Sequence, residues 1–182
     1  IGLFRTEFLF MNRKELPNEE EQFEIYKSVA KSMKNKTVVI RTLDSGADKL
    51  ISADTTISSN PALGLRAIRL CLSEPQLFSI QLRAILRASR FGLVKILIPM
   101  LSSLSELRQT KLLIQRAKKS LSNDKILYDN SIKIGGMIEV PAVAINAETF
   151  AQELDFLSIG TNDLIQYTLA IDRTDDRVSH LY

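Results

Sequence analysis

Apolar and polar positions along this chain change period repeatedly. Five short aliphatic runs have the length of strands: residues 1–4, 38–40, 94–98, 132–138 and 156–159. Between them the apolar residues recur at helical spacing. Phe23, Tyr26, Ala30 and Met33 follow Pro17-Asn18-Glu19-Glu20-Glu21, where Asn18 can cap and three acids suit the positive end of a helix dipole. Pro61 fits the first turn of a helix running to about residue 72, and Ser73-Glu74-Pro75 caps and starts another reaching about residue 89. Leu107, Thr110, Ile114, Ala117 and Leu121 mark a long amphipathic helix. Pro141 opens a helix to about residue 153, and residues 163–169 predict a short one. Residues 8–11 are apolar again and are expected to pack under the following loop, whereas residues 45–60 have no period.

Strand followed by helix, five times and without hairpin signals, predicts a parallel sheet whose strands are apolar on both faces. Two α/β architectures fit: an open doubly wound sheet, or part of a TIM (β/α)₈ barrel. A barrel takes about 250 residues, so a chain of 182 would be an incomplete one, with five parallel strands and outer helices. No repeat, low-complexity tract or linker divides residues 1–182, which read as one domain.

Composition narrows the function. Hydrophobic residues make up 45% and charged residues 25%, ordinary for a globular protein, and a net charge of +3 gives no reason to expect nucleic acid as a partner. The single cysteine, Cys71, excludes an internal disulfide, suits a reducing, cytoplasmic setting, and reads as core between Leu70 and Leu72. No apolar run reaches the roughly 18–20 residues of a membrane span. The start at Ile1 has neither the basic residues nor the cleavage site of a signal peptide, and its abrupt opening in an apolar run predicts a fragment of something longer.

Chemistry collects where the strands end. Parallel strands leading into helices place their last residues at one edge of the sheet, where α/β proteins carry their sites. Arg5, Arg41, Glu139, Asn162 and Asp163 each stand at or just past such an end. Two arginines can fork onto a phosphate. Two carboxylates can hold Mg²⁺, which prefers hard oxygen ligands shared with substrate phosphate. Alternating charges in one pocket describe an anion bound together with a cation. Arg173 either reaches this pocket or pairs with Asp172 at the surface. Lys49 reads as solvated, Arg66 lies on a helix that starts near the pocket, and His180, the only histidine, stands in a polar tail without an evident partner. Neither GxGxxG, a Walker loop nor Cys/His metal spacing occurs.

Four stretches resemble the signatures of the phosphoenolpyruvate-utilising enzymes: Gly2-Leu3-Phe4-Arg5-Thr6-Glu7-Phe8-Leu9-Phe10-Met11, Ile40-Arg41-Thr42-Leu43-Asp44, Gly136-Met137-Ile138-Glu139-Val140-Pro141-Ala142 and Ser158-Ile159-Gly160-Thr161-Asn162-Asp163-Leu164. Within them, Asn60-Pro61-Ala62-Leu63-Gly64-Leu65-Arg66-Ala67-Ile68-Arg69 and Gln166-Tyr167-Thr168-Leu169-Ala170-Ile171-Asp172-Arg173 are similar to the Enzyme I family of the bacterial phosphotransferase system, the phosphoenolpyruvate–protein phosphotransferases. The resemblance implies part of the C-terminal phosphoenolpyruvate-binding barrel, with the first, seventh and eighth strands absent. It implies phosphoenolpyruvate as substrate, held by Arg5, Arg41, Arg173, Asn162 and Asp163 with Lys49 and Arg66 nearby, and Mg²⁺ (or Mn²⁺) on Glu139 and Asp163. It further implies a histidine phosphocarrier protein as partner through another domain, and a homodimer of the full-length enzyme.

Three departures go with it. The family's acid cysteine lies on the seventh strand and Cys71 does not match it. Its phosphorylated histidine lies in an N-terminal domain and His180 does not match it. Its Gly-Gly-Asp-Lys loop reads Gly46-Ala47-Asp48-Lys49. By the same resemblance, the parent reaction moves the phosphoryl group of phosphoenolpyruvate onto histidine and releases pyruvate, and the fragment alone is expected to be inactive. The alternatives are a relative of pyruvate, phosphate dikinase or phosphoenolpyruvate synthase, or a non-catalytic partner-binding remnant.

Overall fold

The computed structural model describes residues 1–46, apart from 12 and 14, and residues 60–182. Lys49 and the Ala47 position therefore lie outside the described residues. Strands β1 (Phe4–Arg5), β2 (Val38–Arg41), β3 (Val94–Ile98), β4 (Lys133–Ile138) and β5 (Phe156–Ile159) form one sheet in the order β1-β2-β3-β4-β5. Every neighbouring pair is parallel, with Arg5 opposite Arg41, Arg41 opposite Leu97, Ile98 opposite Gly136 and Ile138 opposite Ile159. Each strand pairs with the next in sequence, so the winding never reverses. A doubly wound sheet requires that reversal; the sheet is instead an unclosed arc of a (β/α)₈ barrel, with β1 and β5 as its edges.

The helices are α1 (Glu19–Ser32), α2 (Ala67–Ser73), α3 (Pro75–Ala88), α4 (Leu104–Asn123), α5 (Pro141–Ile145), α6 (Ala147–Glu153) and α7 (Thr161–Leu169). Asn18 caps α1 as its sequence predicts: its Oδ1 accepts from Glu21 N–H at 2.9 Å while the Glu21 carboxylate accepts from Asn18 N–H at 3.0 Å. Ser103 and Glu106 repeat this arrangement at α4. The core forms between these helices and the outer face of the sheet, where Val38, Ile40, Ile96 and Ile98 are buried together with Tyr26, Phe78, Leu82, Ile85 and Ile114. No helix among the described residues is long and apolar enough to cross a membrane.

Several expectations are corrected. The helix expected from Pro61 is only a 3₁₀ turn, Pro61–Leu63, and α2 begins at Ala67. Between them the chain turns to pair with the loop after β2: Gly46 bridges Arg66, and Ala67, left-handed at φ 51°, donates its N–H to Ser45 O at 3.1 Å. The helix opened by Pro141 breaks at Asn146, whose side chain donates to Ala142 O at 2.9 Å and competes with the helical backbone. Glu74 supplies no side-chain cap to α3. Of residues 8–11 only Phe10 is buried, and Phe8 is 71% exposed. The strands are not apolar throughout: Lys95 alternates with the core residues of β3, and its ammonium lies over the Phe156 ring. Nor is β5 buried. Leu157 and Ile159 share the outer face with Gly136 and Ile138, but at an edge, and Ile159 is 69% exposed.

Candidate functional site

At the carboxyl ends of the strands lies a cavity of about 390 Å³ lined by Arg5, Arg41, Arg66, Glu139, Asn162, Asp163 and Arg173, together with Glu7, Asp44 and Met137. Each side chain arrives there by a local cause. Arg5 and Arg41 are the paired last residues of β1 and β2. Glu139 follows β4, and Asp163 sits in the first turn of α7, whose amino end points its positive dipole into the site. Arg66 arrives through the extended segment before α2. Left-handed Ala170 ends α7, and Gln166 Oε1 then accepts from Arg173 N–H at 3.3 Å, turning Arg173 back.

The charges interlock. Arg41, only 7% exposed, pairs with Glu7 and lies 3.0 Å from Asp44. Arg66 donates to the other oxygen of Asp44 at 2.7 Å and lies 3.8 Å from Asp163. Arg173 lies 3.1 Å from Asp163, so its surface pairing with Asp172 is not the arrangement found; Asp172 accepts from Thr174 instead. Asn162 is exposed and accepts from the Tyr182 hydroxyl at 3.1 Å. Arg5 is exposed toward the cavity.

Glu139 is the most deeply placed acid among the described residues, 1% exposed. Met100, left-handed at φ 56°, donates its N–H to Glu139 Oε1 at 2.6 Å. Gly160 leaves room for the other oxygen, since a Cβ there would stand 2.5 Å from Glu139 Oε2. Burial pushes the Glu139 carboxyl up to about 7; Asp44 and Asp163 push the same way, against the pull of the Met100 amide and Arg41. Burial likewise raises Glu7 despite its arginine partner.

Oxygens of Asp44, Glu139 and Asp163 lie within 4.8 Å of one another. Asp163 Oδ1 and Arg41 Nε are buried, and neither makes a hydrogen bond among the described residues. A divalent cation fits this all-oxygen set: it would coordinate Asp163 Oδ1, which has its ion pair with Arg173 but no hydrogen bond, and relieve the repulsion that adds to burial in raising Glu139. An anion would likewise accept from Arg41 Nε. Asp44 and Glu7 are the members that sequence reading missed. Asp44 follows a strand by only three positions, as Asp163 follows β5 by four, and that placement was the available signal.

An unclosed barrel arc with arginines and carboxylates gathered at the carboxyl ends of its strands defines a barrel-type α/β domain whose pocket has the charges to hold a small anion beside a cation. The chain belongs to the PEP-utilising enzyme family, as its PEP-binding domain, whose family model matches residues 1–182. It is similar over its whole length to proteins named phosphoenolpyruvate-protein phosphotransferase, with 53% identity to that of Staphylococcus carnosus, 55% to that of Cupriavidus necator and 51% to that of Haemophilus influenzae. The chain spans 32% of the length of each. Among solved structures, a citrate lyase from Burkholderia xenovorans is similar in fold, at a TM-score of 0.51 and 13% identity over 89% of this chain and 43% of that one.

Proposed function

We propose that the chain is the phosphoenolpyruvate-binding part of a cytoplasmic phosphoenolpyruvate–protein phosphotransferase that passes the phosphoryl group to a histidine and releases pyruvate. One observation carries the reading: the residues that the sequence resemblance assigns to substrate and metal, Lys49 apart, converge on one cavity together with the acids that neutralise them. In this reading the bond between the enol oxygen and phosphorus breaks and a bond from a histidine nitrogen to phosphorus forms. The enolate released at the same step takes a proton at carbon to give pyruvate.

Arg5, Arg41 and Arg173 bind phosphoryl oxygens and hold them in line, with Arg66 and Asn162 at the pocket wall. Glu139 and Asp163 hold Mg²⁺ or Mn²⁺, which supplies Lewis-acid neutralisation of substrate charge when bound. Asp44 fixes Arg41 and Arg66 relative to each other. Cys71 is wholly buried in the core, where burial pushes its thiol up to about 12, and His180 is exposed in the tail. Neither matches the family's acid cysteine or phosphorylated histidine, so in this reading the enolate acid and the phosphoryl acceptor come from other parts of the enzyme, and a histidine phosphocarrier takes the phosphoryl group onward. The names of the relatives favour this reading over a dikinase or synthase.

The test is steady-state pyruvate release from phosphoenolpyruvate by the full-length protein, with phosphocarrier protein in excess. Turnover that requires Mg²⁺ or Mn²⁺ and no nucleotide is expected. Turnover that depends on ATP or AMP would favour a dikinase or synthase instead.

A further inference from the structure

We propose that Gln81 is a positioning residue of this site, a buried clamp that fixes the segments following β1 and β2 relative to each other. The proposal rests on the phosphotransferase reading for its catalytic consequence but not for its geometry.

Gln81 stands on the core face of α3, between Phe78 and Leu82, and is as buried as they are. A glutamine on such a face needs partners, because an unpaired buried amide is costly. Its partners belong to the two segments that carry the pocket. Oε1 accepts from Leu43 N–H at 2.9 Å, between Arg41 and Asp44. Nε2 donates to Thr6 Oγ1 at 3.2 Å, between Arg5 and Glu7. Thr6 Oγ1 in turn donates to the Arg41 carbonyl at 2.9 Å, which closes the link between the two strand ends.

The same Nε2 donates to the Tyr26 hydroxyl at 3.3 Å; Tyr26 donates to Gln22 at 3.0 Å, and Gln22 to Pro17 O at 2.9 Å. The clamp is thereby anchored in α1. Thr6, Gln22 and Tyr26 are wholly buried. None of Gln81, Tyr26, Gln22 or Thr6 lines the cavity, so their effect on it runs through the backbone beside Arg5, Glu7, Arg41 and Asp44. An apolar residue at Gln81 would leave Leu43 N–H buried without its acceptor.

The experiment uses the full-length protein with Gln81→Met, Thr6→Val, their combination and Thr6→Ser. Amide hydrogen exchange at Leu43 and Asp44 is expected to accelerate about tenfold or more in Gln81→Met, with β3 and β4 unchanged, because the loss is local. A displacement on the ångström scale at the arginines costs about 10²-fold in rate, so kcat is expected to fall by about that factor, with a smaller change in KM. Thr6→Val should lower kcat in the same way and add little to Gln81→Met, since both act through one link. Thr6→Ser, which keeps the hydroxyl, should restore it. Ile114→Val, in the core on α4, serves as the control that lowers the melting temperature without changing kcat.

Unchanged exchange at Leu43, or accelerated exchange with unchanged kcat, would overturn the proposal. Should Gln81→Met not fold, the contrast between Thr6→Val and Thr6→Ser decides. A wild-type protein that releases no pyruvate would defeat the functional reading alone. The clamp would then be judged by exchange at Leu43 and Asp44 in Gln81→Met and Thr6→Val: acceleration in both would support it, and no change would overturn it.

Discussion

Arg41→Ala in the full-length enzyme is expected to lower kcat/KM for pyruvate release by about 10²–10⁴-fold, the range for losing a cation that meets charge redistributing in the transition state. Arg41 is almost wholly buried, and its guanidinium is held from two sides by Glu7 and Asp44. In the proposed reaction it would act already oriented, and no mobile lysine could take over its planar fork. Its removal also leaves Glu7 and Asp44 as partly buried acids without their common partner, so part of the loss is an altered pocket. Melting temperature and circular dichroism separate that part from the catalytic one. His180→Ala, by contrast, should keep turnover close to normal, because His180 is exposed in the tail and does not line the cavity. A folded His180→Ala enzyme as inactive as Arg41→Ala would make His180 the essential residue and overturn the assignment.

Glu139→Gln is expected to act in two opposite directions. Metal binding should weaken at least tenfold, because an amide cannot replace the charge of one of the proposed ligands. Stability without metal should rise at alkaline pH. The folded carboxyl titrates near 7 against an ordinary value of 4.5. Below 4.5 the carboxyl is protonated in both states and contributes nothing. As pH climbs from 4.5 through 7 the unfolded chain ionises first, so the folded state loses stability, by about 3 kcal/mol in total. The amide of Glu139→Gln keeps an oxygen for the Met100 N–H and carries no such loss. With chelator present, the variant should therefore melt several degrees above wild type at pH 8, with the gap closing at pH 5. A wild type that melts higher at pH 8 than the variant would show Glu139 to be ionised at no cost, contrary to its burial.

The legible parts of the fold were those fixed by local pattern. The strands at residues 94–98 and 156–159 match β3 and β5 in full, and the Asn18 cap starts α1 where expected. The placement of the candidate site was legible to the same degree, because a charged residue at or a few positions past the end of a parallel strand has only one end of the sheet to go to. Arg5, Arg41, Glu139 and Asp163 followed from that rule alone. What stayed hidden depends on residues far apart in sequence. The break between Leu63 and Ala67 comes from pairing with Ser45 and Gly46, which no helical period announces. Arg173 could be assigned to Asp163 rather than to its neighbour Asp172 only once α7 was seen to end at Ala170. The exposure of Ile159 is a property of edge position, and its apolar run reads the same whether or not a neighbour covers it.

Asp163 lies beside Arg173 and Arg66, so a metal arriving alone must compete with two cations for its carboxylate. In the proposed reading, phosphoenolpyruvate would draw those arginines toward its phosphate and leave Asp163 to the metal. The direct measurement is a Mn²⁺ titration of the full-length protein at pH 8, with and without phosphoenolpyruvate, in wild type and Glu139→Gln. Wild type is expected to bind Mn²⁺ at least tenfold more tightly with phosphoenolpyruvate present, and Glu139→Gln to lose most of both affinities. Equal Mn²⁺ affinity with and without phosphoenolpyruvate, or an unchanged titration in the variant, would contradict a shared anion and metal site in this cavity.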